Sequence, residues 1–176
     1  MEKEEIIQLI QDKHQELYRW LEKHPIDLWA EGPEGKWTSG QHIVHLIHSA
    51  QPLNKALKIP KFILKWKFGR PNRTARTYNE VKKRYLERLS EAQEDILSPY
   101  SRDMPETPPT SKNDWIKKLK KEEQIYISLV LKWKEKDLDK VLLPHPLMGR
   151  MLLREMLMWT AYHTEHHLNT LREKYV

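Results

Sequence analysis

The chain contains no cysteine among its 176 residues, and it is poor in glycine, with five, and in phenylalanine, with two. The absence of cysteine excludes disulfide bonds, thiolate metal ligands and a cysteine nucleophile. No uninterrupted apolar run approaches the length of a membrane span, so no membrane is expected as a partner. The first ten residues, MEKEEIIQLI, are acidic and unlike a signal peptide. We therefore predict a soluble, cytoplasmic protein with one domain over residues 1–176.

Apolar residues recur at helical spacing along almost the whole chain. A first amphipathic helix is predicted to end before His24 and Pro25, and a second begins at Thr38, whose spacing to Gln41 is that of a capping box. Pro52 is expected to kink or end this second helix. The remaining predicted segments are a helix over 81–96, a proline-rich loop over 99–109, a helix over 111–133 and a last helix from near 150. No strand pair is predicted, so the fold class is an all-α bundle of about four long helices.

Two histidines one helical turn apart, His163 and His167, lie in the last predicted helix. Residues four apart on a helix share a face, with Cβ atoms roughly 5 to 6 Å apart, so two imidazoles can reach one divalent cation. The pair belongs to a seam of alternating three- and four-residue steps that is predicted to face the interior. The seam comprises Leu153, Met156, Thr160, His163, His167 and Thr170. The alternative is that these histidines only form hydrogen bonds in the core.

A third ligand has to come from elsewhere, and the second helix offers His42, His45 and His48. The apolar centre of that helix lies about 80° from His42 and about 140° from His45, at 100° per residue. The helical wheel alone therefore favours His42 and leaves His45 and His48 as alternatives. The simpler interpretation of His42 and His48 is that they are ordinary surface residues.

Two motifs of the chain resemble those of the DinB/YfiT-like four-helix bundle superfamily. They are carried by Trp37, Thr38, Gln41, His45 and Leu46 in the second helix and by His163 and His167 in the last. The resemblance covers most of the chain and implies an up-up-down-down bundle with an extra helix or long connection in the middle. It also implies that His45, His163 and His167 hold a divalent metal, such as nickel, zinc or a similar ion.

Known members of this superfamily include thiol transferases that use bacillithiol or mycothiol, and a mycothiol-dependent isomerase. The resemblance therefore implies a metal-dependent transferase or hydrolase that acts on a small molecule, with a low-molecular-weight thiol as candidate cosubstrate. Three neutral nitrogens leave coordination positions open for water or substrate. Neither a Glu-x-x-His nor a His-Glu-x-x-His motif occurs, which argues against a ferritin-like di-iron centre and a zinc protease. The alternative is a non-catalytic helical bundle, either structural or dimeric.

Basic residues concentrate in segment 55–88, where twelve lysines and arginines stand against only Glu80 and Glu87. This segment carries a local charge of +10, whereas the whole chain carries +6, so the remainder carries −4. Aromatic residues are interleaved with the basic ones, which makes binding of an anion or a nucleic acid a hypothesis. We favour a solvated surface with buried aromatic residues, so a nucleic acid is not expected as a partner.

Two further residues lie near the histidine pair in sequence. His145 precedes the last helix, and the helical rise places it about 20 Å from His163. We therefore expect His145 to shape the turn together with Pro144, Pro146 and Gly149. Trp159, one turn before His163, is the tryptophan that we expect to line a cleft.

Overall fold

The computed structural model describes residues 1–92 and 104–175. The helices are α1 (Lys3–Lys23), α2 (Ser39–Lys58), α3 (Lys61–Phe68), α4 (Tyr78–Glu91), α5 (Lys112–Leu131) and α6 (Leu153–Lys174). The strands are β1 (Leu142–His145) and β2 (Gly149–Leu152), and short 3-10 helices occupy Asp27–Ala30, Pro109–Ser111 and Glu135–Asp137. The predicted fold class is confirmed, because the fold is mainly helical. Ile96 and residues 99–103 of the predicted loop lie outside the described residues.

The long helices α1 and α6 pack against each other and run parallel. Lys13 of α1 forms an ion pair with Glu165 of α6 at 3.2 Å, and Glu16, further along α1, lies 3.9 Å from Arg172, further along α6. The N-terminal end of α1 accordingly lies beside the start of α6, where Arg154 donates to the carbonyl of residue 1.

Helices α2 and α5 also pack against each other and run parallel, but opposite to α1 and α6. Thr38 before α2 contacts Thr107 before α5, and Trp133 after α5 donates to the carbonyl of Leu57 near the end of α2. The four long helices therefore run up, down, down and up in chain order, which differs from the up-up-down-down order that the resemblance implied. The cause is the segment between α2 and α5, which contains α3 and α4 and returns the chain to the level of Thr38.

Helix α2 begins as the sequence predicts. The hydroxyl of Thr38 accepts from the N–H of Gln41 at 3.1 Å, and the Gln41 side chain accepts from the N–H of Thr38 at 3.0 Å. Pro52 lies inside α2 without ending it. The first turn fits closely because Gly40 has no Cβ, since a Cβ there would lie 2.8 Å from the buried Trp29 ring. These contacts fix the start of the helix that carries His45.

A short antiparallel hairpin precedes α6, where the sequence predicted no strand pair. Strands β1 and β2 pair so that Pro144 faces Arg150 and His145 faces Gly149, which has a φ of +71°. The prolines of this segment resemble turn signals, yet a two-stranded ribbon tolerates a proline because each strand is an edge. Because residues 149–152 pair in the hairpin, α6 begins at Leu153 rather than near Arg150.

Two apolar clusters fill the opposite ends of the bundle. One is built around residues such as Ile10, Leu53 and Leu157, and the other around residues such as Leu21 and Leu171. Along α6, the first cluster extends to Tyr162 and the second begins at Leu168, so His163 and His167 lie at the junction between them. No helix in the described parts of the chain has the length and apolarity needed to cross a membrane.

Candidate metal centre

His45, His163 and His167 come together between α2 and α6. The Nε2 atom of His163 lies 3.2 Å from Nε2 of His45 and 3.0 Å from Nε2 of His167. One ring nitrogen from each histidine belongs to a group whose members all lie within 4.8 Å of one another. The three side chains are buried. The structure thus gathers the three residues that the resemblance selected, and His48 is not among them.

The helical wheel did not select His45 because α2 has two neighbours. Helix α2 packs more extensively against α5 than against α6, so the apolar side of α2 is not centred on the histidines. His45 lies on the part of α2 that faces α6, where it meets the predicted His163 and His167 seam. The interior position predicted for this seam is confirmed, since its members through His167 are all buried.

His42 is not a surface residue, contrary to the simpler interpretation. It is 6% exposed, and its Nδ1 atom lies 2.8 Å from Nδ1 of His167. Its Nε2 atom lies 3.0 Å from the hydroxyl of Tyr175, which donates to the carbonyl of Trp37 at 2.5 Å. No pattern in the sequence indicated this chain of bonds, because the bonded residues lie 125 and 133 positions apart.

The chain of bonds fixes the proton positions in both imidazoles. The Trp37 carbonyl can only accept, so the Tyr175 hydroxyl uses its proton there and accepts a second bond from Nε2–H of His42. The Nδ1 atom of His42 is then an acceptor for Nδ1–H of His167. His167 is left with a lone pair on Nε2, which is the atom that faces His163.

His42, His163 and His167 are neutral at neutral pH. Burial, with a further contribution from His45, lowers the pKa of His42 to about 3. Burial also lowers the pKa of His163 and of His167 well below the usual range, and neighbouring histidines add to the effect. Neutral imidazole is the form that binds a metal ion, so little proton competition is expected near pH 7.

The three histidines line one side of a cavity of about 750 Å³. Trp37 lies 4.9 Å from the His45 ring, and Trp159 stacks on the His163 ring at 4.4 Å. The prediction that Trp159 lines a cleft is confirmed. Apolar residues from α2, α4, α6 and the hairpin form most of the wall, and they include Leu53, Leu89, Leu143, Leu147 and Met156. Among the described residues, no carboxylate lines the cavity. The only lysine or arginine residues in the described part of its wall are Lys36 and Lys55, and both are exposed.

His145 lines the same cavity, so its expected separation of about 20 Å from His163 was wrong. The His145 ring lies 4.3 Å from the Trp159 ring, which in turn stacks on His163. The expected distance assumed that the chain before α6 runs on along the axis of that helix. The hairpin instead turns back, which places β1 against the side of α6.

Some basic residues of segment 55–88 are paired with a buried carboxylate, and others are exposed to solvent. Arg73 and Arg76 form ion pairs with Glu155, which is fully buried at the start of α6. Tyr85 is buried as predicted, but Trp66 is 85% exposed, contrary to the expectation that the aromatic residues are buried. The exposed basic residues of this segment are spread over the end of α2, α3 with the turn after it, and α4; they are Lys55, Lys58, Lys67, Arg70, Lys83 and Arg88.

The sequence matches the family model of the DinB superfamily over residues 8–171. This match covers most of the chain, so the protein belongs to the DinB superfamily. Among solved structures, the crystal structure of the colibactin self-resistance protein ClbS in complex with a dsDNA is similar, with a TM-score of 0.54. The similarity covers 98% of this chain and 96% of that chain at 17% sequence identity, so it shows the fold alone. No curated protein sequence matches the chain significantly.

Proposed function

We propose that this protein binds a divalent metal ion through His45, His163 and His167, and that it is a metal-dependent transferase or hydrolase. Its substrate would be a small, mainly apolar molecule, and a low-molecular-weight thiol is the candidate cosubstrate. The observation that carries the proposal is the convergence of three buried imidazoles at the wall of a cavity of about 750 Å³.

The donor set fits such an ion. Metal–nitrogen bonds of about 2.0 to 2.1 Å at tetrahedral angles separate two ligand nitrogens by about 3.3 Å. The Nε2 separations of 3.2 and 3.0 Å around His163 are close to this value. Imidazole ligands suit nickel and zinc. No cysteine or carboxylate joins the group within the described residues, so the set would leave coordination positions open.

A divalent cation held in this way supplies Lewis-acid chemistry, which includes lowering the pKa of a thiol or a water molecule. The residues of the chain do the rest. His42 and Tyr175 hold the His167 ring with its Nε2 lone pair toward the site. Trp37 and Trp159 flank the histidines and exclude water, while the apolar wall accepts the body of the substrate. Because the chain has no cysteine, a thiol nucleophile has to be a cosubstrate.

Elemental analysis of protein purified without an affinity tag tests the metal site. We expect near one equivalent of nickel, zinc or a similar metal in the wild type, and its loss in His45→Ala and in the His163→Ala, His167→Ala double variant. His48→Ala is the matched control, because His48 lies on the same helix outside the cavity lining. No metal in the wild type, even after addition of nickel, zinc and manganese, would leave a bundle with hydrogen-bonded core histidines.

Turnover has to be tested separately from metal content. Thiol-dependent consumption of small electrophiles, abolished by a chelator and by His45→Ala, is the result expected of an enzyme. If chelation instead lowers the melting temperature strongly and no thiol-dependent turnover is found, the metal is structural and the bundle is non-catalytic.

We propose DNA binding through segment 55–88 as a second candidate function. The observation that favours it is the exposure of Phe62, at 73%, and Trp66, at 85%, on a helix that also carries Lys61, Lys65 and Lys67. Aromatic side chains beside basic ones can stack on bases and contact phosphates. The ClbS structure, similar in fold, is a complex with a dsDNA. Binding that is lost at physiological salt, or unchanged by Trp66→Ser, would contradict this second function.

A further inference from the structure

His145 has one ring nitrogen engaged by the hairpin turn. Its Nδ1 atom accepts the backbone N–H groups of Leu147 and Met148, each at 3.1 Å. Both partners are donors, so Nδ1 carries a lone pair and the neutral ring has its proton on Nε2. Burial lowers the pKa of His145 to about 4, which keeps the ring neutral at neutral pH. The turn therefore fixes His145 as a donor through Nε2.

The Nε2–H group has no acceptor of its own among residues 1–92 and 104–175. His145 is 8% exposed and belongs to the cavity wall, so its residual exposure is toward the space that the three histidines share. The Trp159 ring lies 4.3 Å from His145 and 4.4 Å from His163, which places the two histidine rings within about 9 Å of each other. The Tyr85 ring is edge-on to both, with its centroid 6.4 Å from the His145 ring and 6.2 Å from the His163 ring.

We propose that His145 is a ligand-binding residue that donates from Nε2–H to an oxygen acceptor on the molecule bound in the cavity. The substrate class that follows is an apolar molecule whose reacting group lies at His45, His163 and His167. This molecule carries a carbonyl or similar acceptor oxygen within about 9 Å of that group. The statement about the reacting group rests on the proposed function, whereas the hydrogen bond to His145 does not. The absence of carboxylates from the described cavity wall favours an acceptor over a cationic group at this point.

A pair of matched probes tests the donor. The probes are 4-phenyl-2-butanone and butylbenzene, which differ in one carbonyl group, and their dissociation constants are measured by ligand-observed NMR. The variant is His145→Asn, whose side-chain oxygen can still accept the N–H groups of the turn while its amide is too short to reach the Nε2 position. His48→Asn is the control substitution at a half-buried histidine outside the cavity wall.

The dissociation constant of the ketone, divided by that of the hydrocarbon, should rise roughly three- to tenfold in His145→Asn, because the ketone loses its hydrogen bond. The same ratio should stay unchanged in His48→Asn. In wild-type protein labelled with ¹⁵N-histidine, the ketone should shift the Nε2–H resonance of His145, and butylbenzene should not. An unchanged ratio in His145→Asn, protonation of Nδ1 instead of Nε2, or no binding of either probe overturns the inference.

The measurements are repeated with and without added nickel or zinc. If the wild type binds no metal but the ketone preference depends on His145, the proposed function fails and the ligand site remains. If metal binds to the three histidines but the ketone preference does not depend on His145, the inference fails and the metal site remains.

Discussion

Replacing His42 with leucine removes the acceptor for Nδ1–H of His167 and leaves Nε2 of His167, the proposed metal ligand, in place. The 2.8 Å contact between the two Nδ1 atoms is then lost, together with the 3.0 Å contact to Tyr175. Loss of such an outer partner typically lowers metal affinity about 10- to 100-fold, which corresponds to about 1.4 to 2.7 kcal/mol. We therefore expect His42→Leu to bind nickel or zinc in the same stoichiometry as the wild type but about 10- to 100-fold more weakly.

Competition titration against a chromophoric chelator measures this affinity, and the absorption spectrum of the Co²⁺ form reports the ligand geometry. His14→Leu is the matched control. His14 is also a buried histidine, but its two ring nitrogens bond the carbonyl of Ile10 and the hydroxyl of Tyr126 rather than one of the three proposed ligands. Both substitutions should destabilise the fold, but only His42→Leu should weaken metal binding. Wild-type affinity in His42→Leu, or an equal loss in His14→Leu, would refute the assigned role of His42.

Three further predictions concern stability. Glu155→Gln should lower the free energy of unfolding in urea titrations by about 3 kcal/mol, because it leaves Arg73 and Arg76 without their buried charged partner. The control Glu91→Gln, which breaks an exposed ion pair, should lower it by less than about 1 kcal/mol. Gly40→Ala should lower the melting temperature, since its Cβ would lie 2.8 Å from the Trp29 ring, and a melting temperature equal to that of the wild type would contradict the packing described. Stability should also fall by more than about 1 kcal/mol per pH unit between about pH 6 and pH 4, because the unfolded chain then binds protons that the folded chain excludes. The residues responsible include His14, His42 and His145, whose pKa values burial lowers to about 4, 3 and 4. Burial also lowers the pKa values of His163 and His167 well below the usual range, so they contribute in the same direction. Urea unfolding that is independent of pH over this range would show that these rings are not buried in neutral form.

Local spacing made several features of this protein predictable from the sequence. The capping box of Thr38 and Gln41 formed as expected, since it depends only on residues three apart. His163 and His167 share a face because a helix places residues four apart on one side. The role of His45 did not follow from its own helix, because the apolar side of α2 is shared between two neighbouring helices. Its selection came from the resemblance of its motif to a known superfamily.

The sequence by itself determined the helical class, the start of α2 and the pairing of two histidines on α6, because each depends on contacts within one or two helical turns. Only the tertiary structure decided that His42 lies between His167 and Tyr175, and that His145 reaches the same cavity as His163. Those contacts depend on how far helices are shifted along one another and on a hairpin that reverses the chain. Neither the shift nor the reversal leaves a periodic pattern in the sequence. The shift is set by the packing of side chains more than a hundred positions apart. The reversal depends on a turn whose backbone N–H groups donate to the His145 side chain.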